Sequence, residues 1–142
     1  MIRPRAICLF RREDSILVAF GLDPRTGGQY ARTLGGGIEF GERAEDALRR
    51  EIREELAADI RDPQLLGVLE NIFEIERQRH HEIIFVFDAA FADPALYDRS
   101  ELPVNESACI APARWVPIDA FSDELPVYPR GVIDLLRRNP RT

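Results

Sequence analysis

The chain has 142 residues, 45% of them hydrophobic and 31% charged, with a formal net charge of −6. That length suits one compact domain whose core needs no disulfide or metal staple, so a single domain over residues 1–142 is expected. The acidic balance argues against a general nucleic-acid binder, which needs a basic face, and no apolar run reaches the length of a signal segment or a bilayer span; neither a nucleic-acid nor a membrane partner is expected, and the default location is cytoplasmic.

Residues 5–10 are rich in β-formers and predict a strand, and residues 15–20 predict a second. The polar turn Arg12-Glu13-Asp14 between them predicts a hairpin. Arg3, Arg5, Arg11 and Arg12 form a small basic cluster, read as solvated strand ends. Cys8 and Cys109 stand far apart among apolar neighbours, with no metal-ligand spacing, and read as buried small hydrophobes. Residues 23–28 read as loop, and residues 30–34 as a short strand running into Gly35-Gly36-Gly37.

The clearest helix covers residues 43–58, where Ala44, Ala47, Leu48, Ile52 and Leu56 recur at helical spacing. Asp62-Pro63 closes that region. Residues 65–75 and 82–91 are long strand candidates, joined by the polar run 76–81 as a hairpin tip. Residues 92–111 read as irregular, and a loop that long in a small domain is often functional. A strand end at residues 114–116 and a helix over 130–138, apolar at Val132, Ile133, Leu135 and Leu136, complete the chain. Helices placed between groups of strands indicate a layered α/β domain with a mixed sheet.

The segment Arg50-Glu51-Ile52-Arg53-Glu54-Glu55 carries the chemistry. Offsets of three and four place Glu51, Glu54 and Glu55 on one helix face, where like charges destabilise a helix by roughly 0.2–0.5 kcal/mol per pair. Such a cluster needs solvent or a counterion, and a hard divalent cation such as Mg²⁺ takes oxygen ligands of this kind while keeping waters and substrate phosphates. Taken alone, the cluster reads first as a solvated face interleaved with Arg49, Arg50 and Arg53.

The residues upstream change that balance. Gly36 is followed after five residues by Glu42, and seven further residues lead to Arg50-Glu51-Ile52-Arg53-Glu54-Glu55. This register resembles the signature of the Nudix hydrolases. Six matched positions are expected by chance about once in 10⁴ chains of this length. Two positions depart from the signature: Ala57 stands where Gly is usual, and Ala58 is small for an aliphatic site. Because Gly there would cap a helix in the left-handed conformation, Ala57 predicts a longer or differently ended helix.

The resemblance implies an α/β/α sandwich with a mixed sheet. It also implies a Mg²⁺-dependent hydrolase, with Mn²⁺ as a substitute, that cleaves a phosphoanhydride bond in a nucleoside diphosphate linked to another moiety. Under it, Gly36 supplies a backbone carbonyl to the metal, and Glu51, Glu54 and Glu55 are metal ligands. Arg50 orients the glutamates, and Glu51 or a loop carboxylate accepts a proton from water. Glu42 sits at the helix start, where a carboxylate complements the dipole. Of the loop carboxylates Glu101 and Glu106, the polar setting Asn105-Glu106-Ser107 favours Glu106.

Further candidates are weaker. Arg32 and Arg77 are possible substrate contacts, and Phe40 a possible cleft residue. Glu82 reads either as a cleft carboxylate or as a polar residue at a hairpin end, and Glu70 has the same ambiguity. Trp115 and Tyr30 read first as core aromatics and second as base-stacking groups. No zinc spacing involves His80 or His81. The extra motif of NADH-type members is absent after the signature. Substrates implied by the resemblance are nucleoside diphosphate sugars such as ADP-ribose, or nucleoside triphosphates. The alternative is a non-catalytic Nudix-fold module that senses a nucleotide metabolite. Many relatives dimerise, so a homodimer is possible.

Overall fold

The computed structural model describes residues 1–140. Strand β1 (Ile2–Leu9) leads through the two-residue β2 (Arg11–Arg12) and a turn at Glu13, with φ 54°, into β3 (Ser15–Leu22). β2 pairs with β3, but β1 and β3 lie in different sheets. The expected hairpin of the first two strands is therefore a corner at which the chain changes sheet. β4 (Gln29–Arg32) and β5 (Leu34–Gly37) follow, separated only by Thr33 yet again in different sheets. The glycine run is thus not a turn: Gly35, Gly36 and Gly37 pair with Ile7, Ala6 and Arg5 of β1. Gly35 has φ 135°, and a Cβ there would lie 2.2 Å from the Ala6 carbonyl oxygen, so only glycine permits this approach.

The signature helix is α1 (Ala44–Leu56). It ends two residues before the expected boundary at 58, because Ala57 itself adopts the left-handed conformation, φ 53° and ψ 39°, and its N–H bonds the Arg53 carbonyl. The expectation of a different ending is corrected: the alanine takes the geometry that glycine favours. β6 (Ile60–Ile75) runs straight through Asp62-Pro63, which forms an irregularity, with Asp62 at φ 53° and a register shift between Arg61 and Gln64, rather than a boundary. β7 (Gln78–Phe91) pairs with it antiparallel. The connection is only Glu76-Arg77, both at positive φ, so residues 78–81, expected in the tip, are strand.

The irregular stretch holds a 3-10 turn, Pro94–Asp98, and the short β8 (Glu101–Leu102). β9 (Ala113–Pro117), a 3-10 turn at Ile118–Ala120, β10 (Val127–Tyr128) and α2 (Val132–Arg138) complete the described chain.

One sheet has the order β5-β1-β7-β6, with β1 parallel to β7 and its other pairs antiparallel; the second runs β10-β4-β3-β9-β8, with β2 on β3. Alternation along β1 sends Ala6 and Cys8 into one core, with Ala47, Leu48 and Ile52 of α1, and Ile7 and Leu9 into the other, with Val132, Leu135 and Leu136 of α2. Helices therefore cover opposite sides, as expected for an α/β/α sandwich. Full burial of Leu48 and Ile52 contributes about 1.5–3 kcal/mol each to docking α1. Phe10 and Phe91 stack at 3.9 Å in the same core. Among the described residues no helix is long and apolar enough to cross a membrane.

Candidate active site

Docking of α1 beside β5 brings its charged face to the glycine strand. There Arg50 gathers the acidic groups. Its Nε and Nη2 donate to the two oxygens of Glu42 at 2.8 and 2.9 Å, and Nη2 also donates to the Gly37 carbonyl at 3.0 Å. Nη1 donates to Glu51 at 2.9 Å and to Glu54 at 3.4 Å. The bidentate hydrogen bonds from Arg50, helped by the Glu39 N–H, hold the Glu42 carboxyl down to about 2. Glu42 lies before the N-cap Arg43, so its carboxylate serves Arg50, while Glu45 and Asp46 occupy the first helical turn.

Gly36 is where the strand admits the helix side chain. A Cβ there would come within 2.4 Å of the Glu51 carboxyl carbon. Glu55 points inward, almost buried, and accepts from the Gly35 N–H at 3.0 Å. Burial pushes its carboxyl up to about 7; Arg32, at 3.4 Å, and the Gly35 N–H oppose that rise, and the charges of Glu106 and Glu51 reinforce it. Burial disfavours the charge on Arg32, but Glu55 and Glu106 outweigh it and leave the guanidinium firmly protonated.

The loop after β8 completes this corner. The Asn105 N–H bonds the Glu55 carbonyl at 2.8 Å, and its side chain reaches the Glu54 carbonyl at 3.4 Å. That anchorage on the end of α1 aims Glu106 at Arg32, with which it forms an ion pair. Arg32 also contacts the Cys109 sulfur at 3.3 Å, so Cys109 is a half-buried neighbour of the site and not a core residue as expected; Cys8 is buried.

A cleft of about 380 Å³ opens between these groups. Gly35, Gly36 and Gly37 form its floor, with Glu51, Arg32 and Glu106 on one side. Arg3, Arg5 and Glu82 line the other side. Glu82 is 9% exposed and faces Arg5 at 3.5 Å, so it is a cleft carboxylate within β7 and not a hairpin end. Glu70 stays on the surface, 3.7 Å from His81.

The basic cluster near the start also divides. Arg3 and Arg5 enter the cleft. Arg11 pairs with Asp88 at 3.4 Å, and Arg12 lies 4.7 Å over the Trp115 ring. Reading all four as solvated strand ends missed both the cleft-lining Arg3 and Arg5 and the half-buried Arg11 and Arg12; the period-two spacing that puts Arg3 and Arg5 on one face of β1 was the available signal. Phe40 is fully exposed in the turn before α1 and does not line the cleft. Glu101 pairs in β8 opposite Arg114, and Arg77 sits at the hairpin tip, both away from the cleft lining. Trp115 belongs to the core, and Tyr30 packs edge-on against Tyr128.

The donor set suits a hard cation: carboxylate oxygens and backbone carbonyls around a strand that a Cβ would block. Among the described residues, however, no three His, Cys, Asp or Glu side chains converge as a ligand cluster. Glu55 is turned to Gly35 and Arg32, and Glu51 to Arg50, while Glu54 is exposed and lightly held. Arginines hold the carboxylates apart as they stand.

A mixed sheet between two helices, with the glycine strand and glutamate helix meeting at a polar cleft, defines a Nudix fold. The chain belongs to the Nudix hydrolase family: the NUDIX domain matches residues 1–136. Among curated proteins, it is 31% identical over 128 residues to the NAD-capped RNA hydrolase NudC of Stutzerimonas stutzeri, covering 90% of this chain and 40% of that protein. It is 46% identical over 66 residues to the NudC of Pseudomonas putida, covering 46% of this chain and 23% of that one. The chain thus spans less than half the length of these relatives. Its structure is similar to that of a MutT NUDIX hydrolase from Burkholderia pseudomallei, with a TM-score of 0.72 and 22% identity over 99% of both chains. The MutT protein from Methanosarcina mazei gives 0.66 and 20% identity over 96% of this chain and 91% of that one. At these identities the solved structures speak to the fold alone.

Proposed function

We propose that this chain is a divalent-metal-dependent hydrolase that cleaves a phosphoanhydride bond in a nucleoside diphosphate linked to another moiety. The observation that carries the reading is the Arg50 network, which donates to Glu42, Glu51, Glu54 and the Gly37 carbonyl beside a polar cleft that Glu51 and Gly37 line. Glu51, Glu54, Glu55 and the Gly36 carbonyl would hold Mg²⁺, or Mn²⁺ in its place. When bound, the ion would polarise a phosphoryl oxygen and lower the pKa of a water.

The chain's own residues do the rest. Arg50 fixes the glutamate side chains. Arg32 offers positive charge to the phosphates from the cleft wall. Glu51 or Glu106, both lining the cleft, accepts the proton as water attacks phosphorus and the bond to the leaving phosphate oxygen breaks. Nucleoside diphosphate sugars such as ADP-ribose and nucleoside triphosphates are the substrate classes. The names of the curated relatives add NAD-capped RNA, whose cap is itself a diphosphate joining two nucleosides. The cytoplasm is the proposed location.

The test is hydrolysis across a panel of these compounds, with Mg²⁺, with Mn²⁺ and with chelator. We expect metal-dependent turnover that Glu54→Gln and Glu55→Gln each reduce by about 10²–10³-fold. Tight nucleotide binding by folded protein without turnover of any member would replace this reading with that of a non-catalytic binding module.

A further inference from the structure

The cleft has two poles of opposite balance. On one side Arg32 faces Glu55 and Glu106, with Glu51 also lining the cleft, which is the acidic end. On the other side stand Arg3 and Arg5, with Glu82 as the carboxylate partner of Arg5. Only Arg5 is engaged, at 3.5 Å; Arg3 is exposed and forms no ion pair among the described residues. As i and i+2 of β1, the two arginines leave the same face of the strand about 7 Å apart. Arg3 sits in register with Glu82, and Arg5 with Gly37 on the cleft floor.

We propose that Arg3 and Arg5 form a subsite for a phosphate group lying beyond the scissile diphosphate. This rests on the hydrolase reading and narrows its substrate class to nucleotides that carry a further phosphate past the bond that is cut. The guanidinium fork matches phosphate oxygens in pairs. Glu82 offsets one of the two charges and orients Arg5, so the pole keeps a net positive charge at Arg3. A neutral sugar at this position would leave the Arg3 charge unanswered. A terminal phosphate or the first phosphodiester of an oligonucleotide would satisfy it, and both present the same chemistry.

The test is calorimetric binding that needs no turnover. Adenosine diphosphate and triphosphate analogues with methylene bridges in place of the bridging oxygens are titrated into the protein with Mg²⁺. NAD and an NAD-capped trinucleotide are titrated in chelator. Within at least one pair, the ligand with the additional phosphate is expected to bind about tenfold tighter, equivalent to about 1.4 kcal/mol. Arg3→Gln and Arg5→Gln should each shrink that preference to about twofold or less, Arg3→Lys should keep part of it, and Arg137→Gln, the same charge loss on α2, should leave it whole. A preference confined to the triphosphate arm assigns the subsite to a terminal phosphate, and one confined to the capped arm assigns it to a phosphodiester. Equal affinities within both pairs, or a preference that Arg3→Gln and Arg5→Gln leave untouched, would overturn the proposal. Because binding is read without hydrolysis, a subsite can fail while turnover stands, and the reverse.

Discussion

Arg50 donates to groups on the glycine strand, the turn before α1 and two turns of α1 itself. A lysine keeps the charge but cannot reproduce the fork on Glu42. Arg50→Lys should therefore fold normally and lose about 10–100-fold in metal affinity or activity, read by metal titration and by kcat/KM. Gly36→Ala should be as harmful for a different reason. The new Cβ would strike the Glu51 carboxyl carbon, and a displacement near 1 Å at a reacting group costs about 10²-fold.

The two shifted carboxyls give opposite pH signatures. Glu42 is held down to about 2 when folded, so its contribution to stability is complete above about 4.5 and is lost as pH falls toward 2. Glu55 is raised to about 7, so the folded chain binds that proton more tightly than the unfolded chain does. The Glu55 contribution to metal-free stability should then be complete below about 4.5 and should be lost, at up to about 1.4 kcal/mol per pH unit, as pH rises to about 7. Urea midpoints of metal-free protein across pH 3–8 check both, with Glu55→Gln expected to flatten the upper branch and Glu42→Gln the lower.

At the scale of elements, two turns are held by residues poorly matched to their backbone. Ala57 ends α1 at φ 53°, where a Cβ costs about 1–2 kcal/mol, so Ala57→Gly should raise the urea midpoint. The β6–β7 connection places Glu76 and Arg77 at positive φ between the paired Ile75 and Gln78, the backbone that Asn-Gly prefers. The double change to Asn-Gly should stabilise the hairpin without touching the cleft; a lower thermal midpoint would contradict this account. Both cases show why element ends were less legible than element cores. The apolar period of α1 was plain because Ala47, Leu48 and Ile52 repeat at its own pitch. The turn at Glu76-Arg77 carries no glycine or asparagine to announce itself, and the polar run was read as a longer tip. Asp62-Pro63 carried a breaker signal, but pairing with β7 overrode it with a local irregularity.

For the whole molecule, the cleft is assembled where the two sheets meet α1, and the adjacent strands β4 and β5 feed opposite sheets through Thr33 alone. Arg32 and Gly35 thereby reach Glu55 from either side of that crossing. A cation that binds the native carboxylates and not the unfolded chain stabilises by mass action, about 2.7 kcal/mol at a hundredfold excess over its dissociation constant. Mg²⁺ should accordingly raise the thermal midpoint of the wild-type protein, and chelator should reverse the gain. Glu54→Gln should show a smaller rise.

The spacing of Gly36, Glu42, Arg50, Glu51, Glu54 and Glu55 could be read before any fold was known. A helix converts offsets of three and four into one face without help from distant residues. The other half of the cleft could not be read that way. Arg3, Arg5, Arg32, Glu82 and Glu106 come from three strands and one loop, and the Arg5–Glu82 contact spans 77 positions. Only the parallel pairing of β1 with β7 and the anchoring of Asn105 on α1 decide which of the chain's many arginines and glutamates face the cleft. Strand pairing is a long-range choice made by burial of both sheet faces, and no local spacing encodes it.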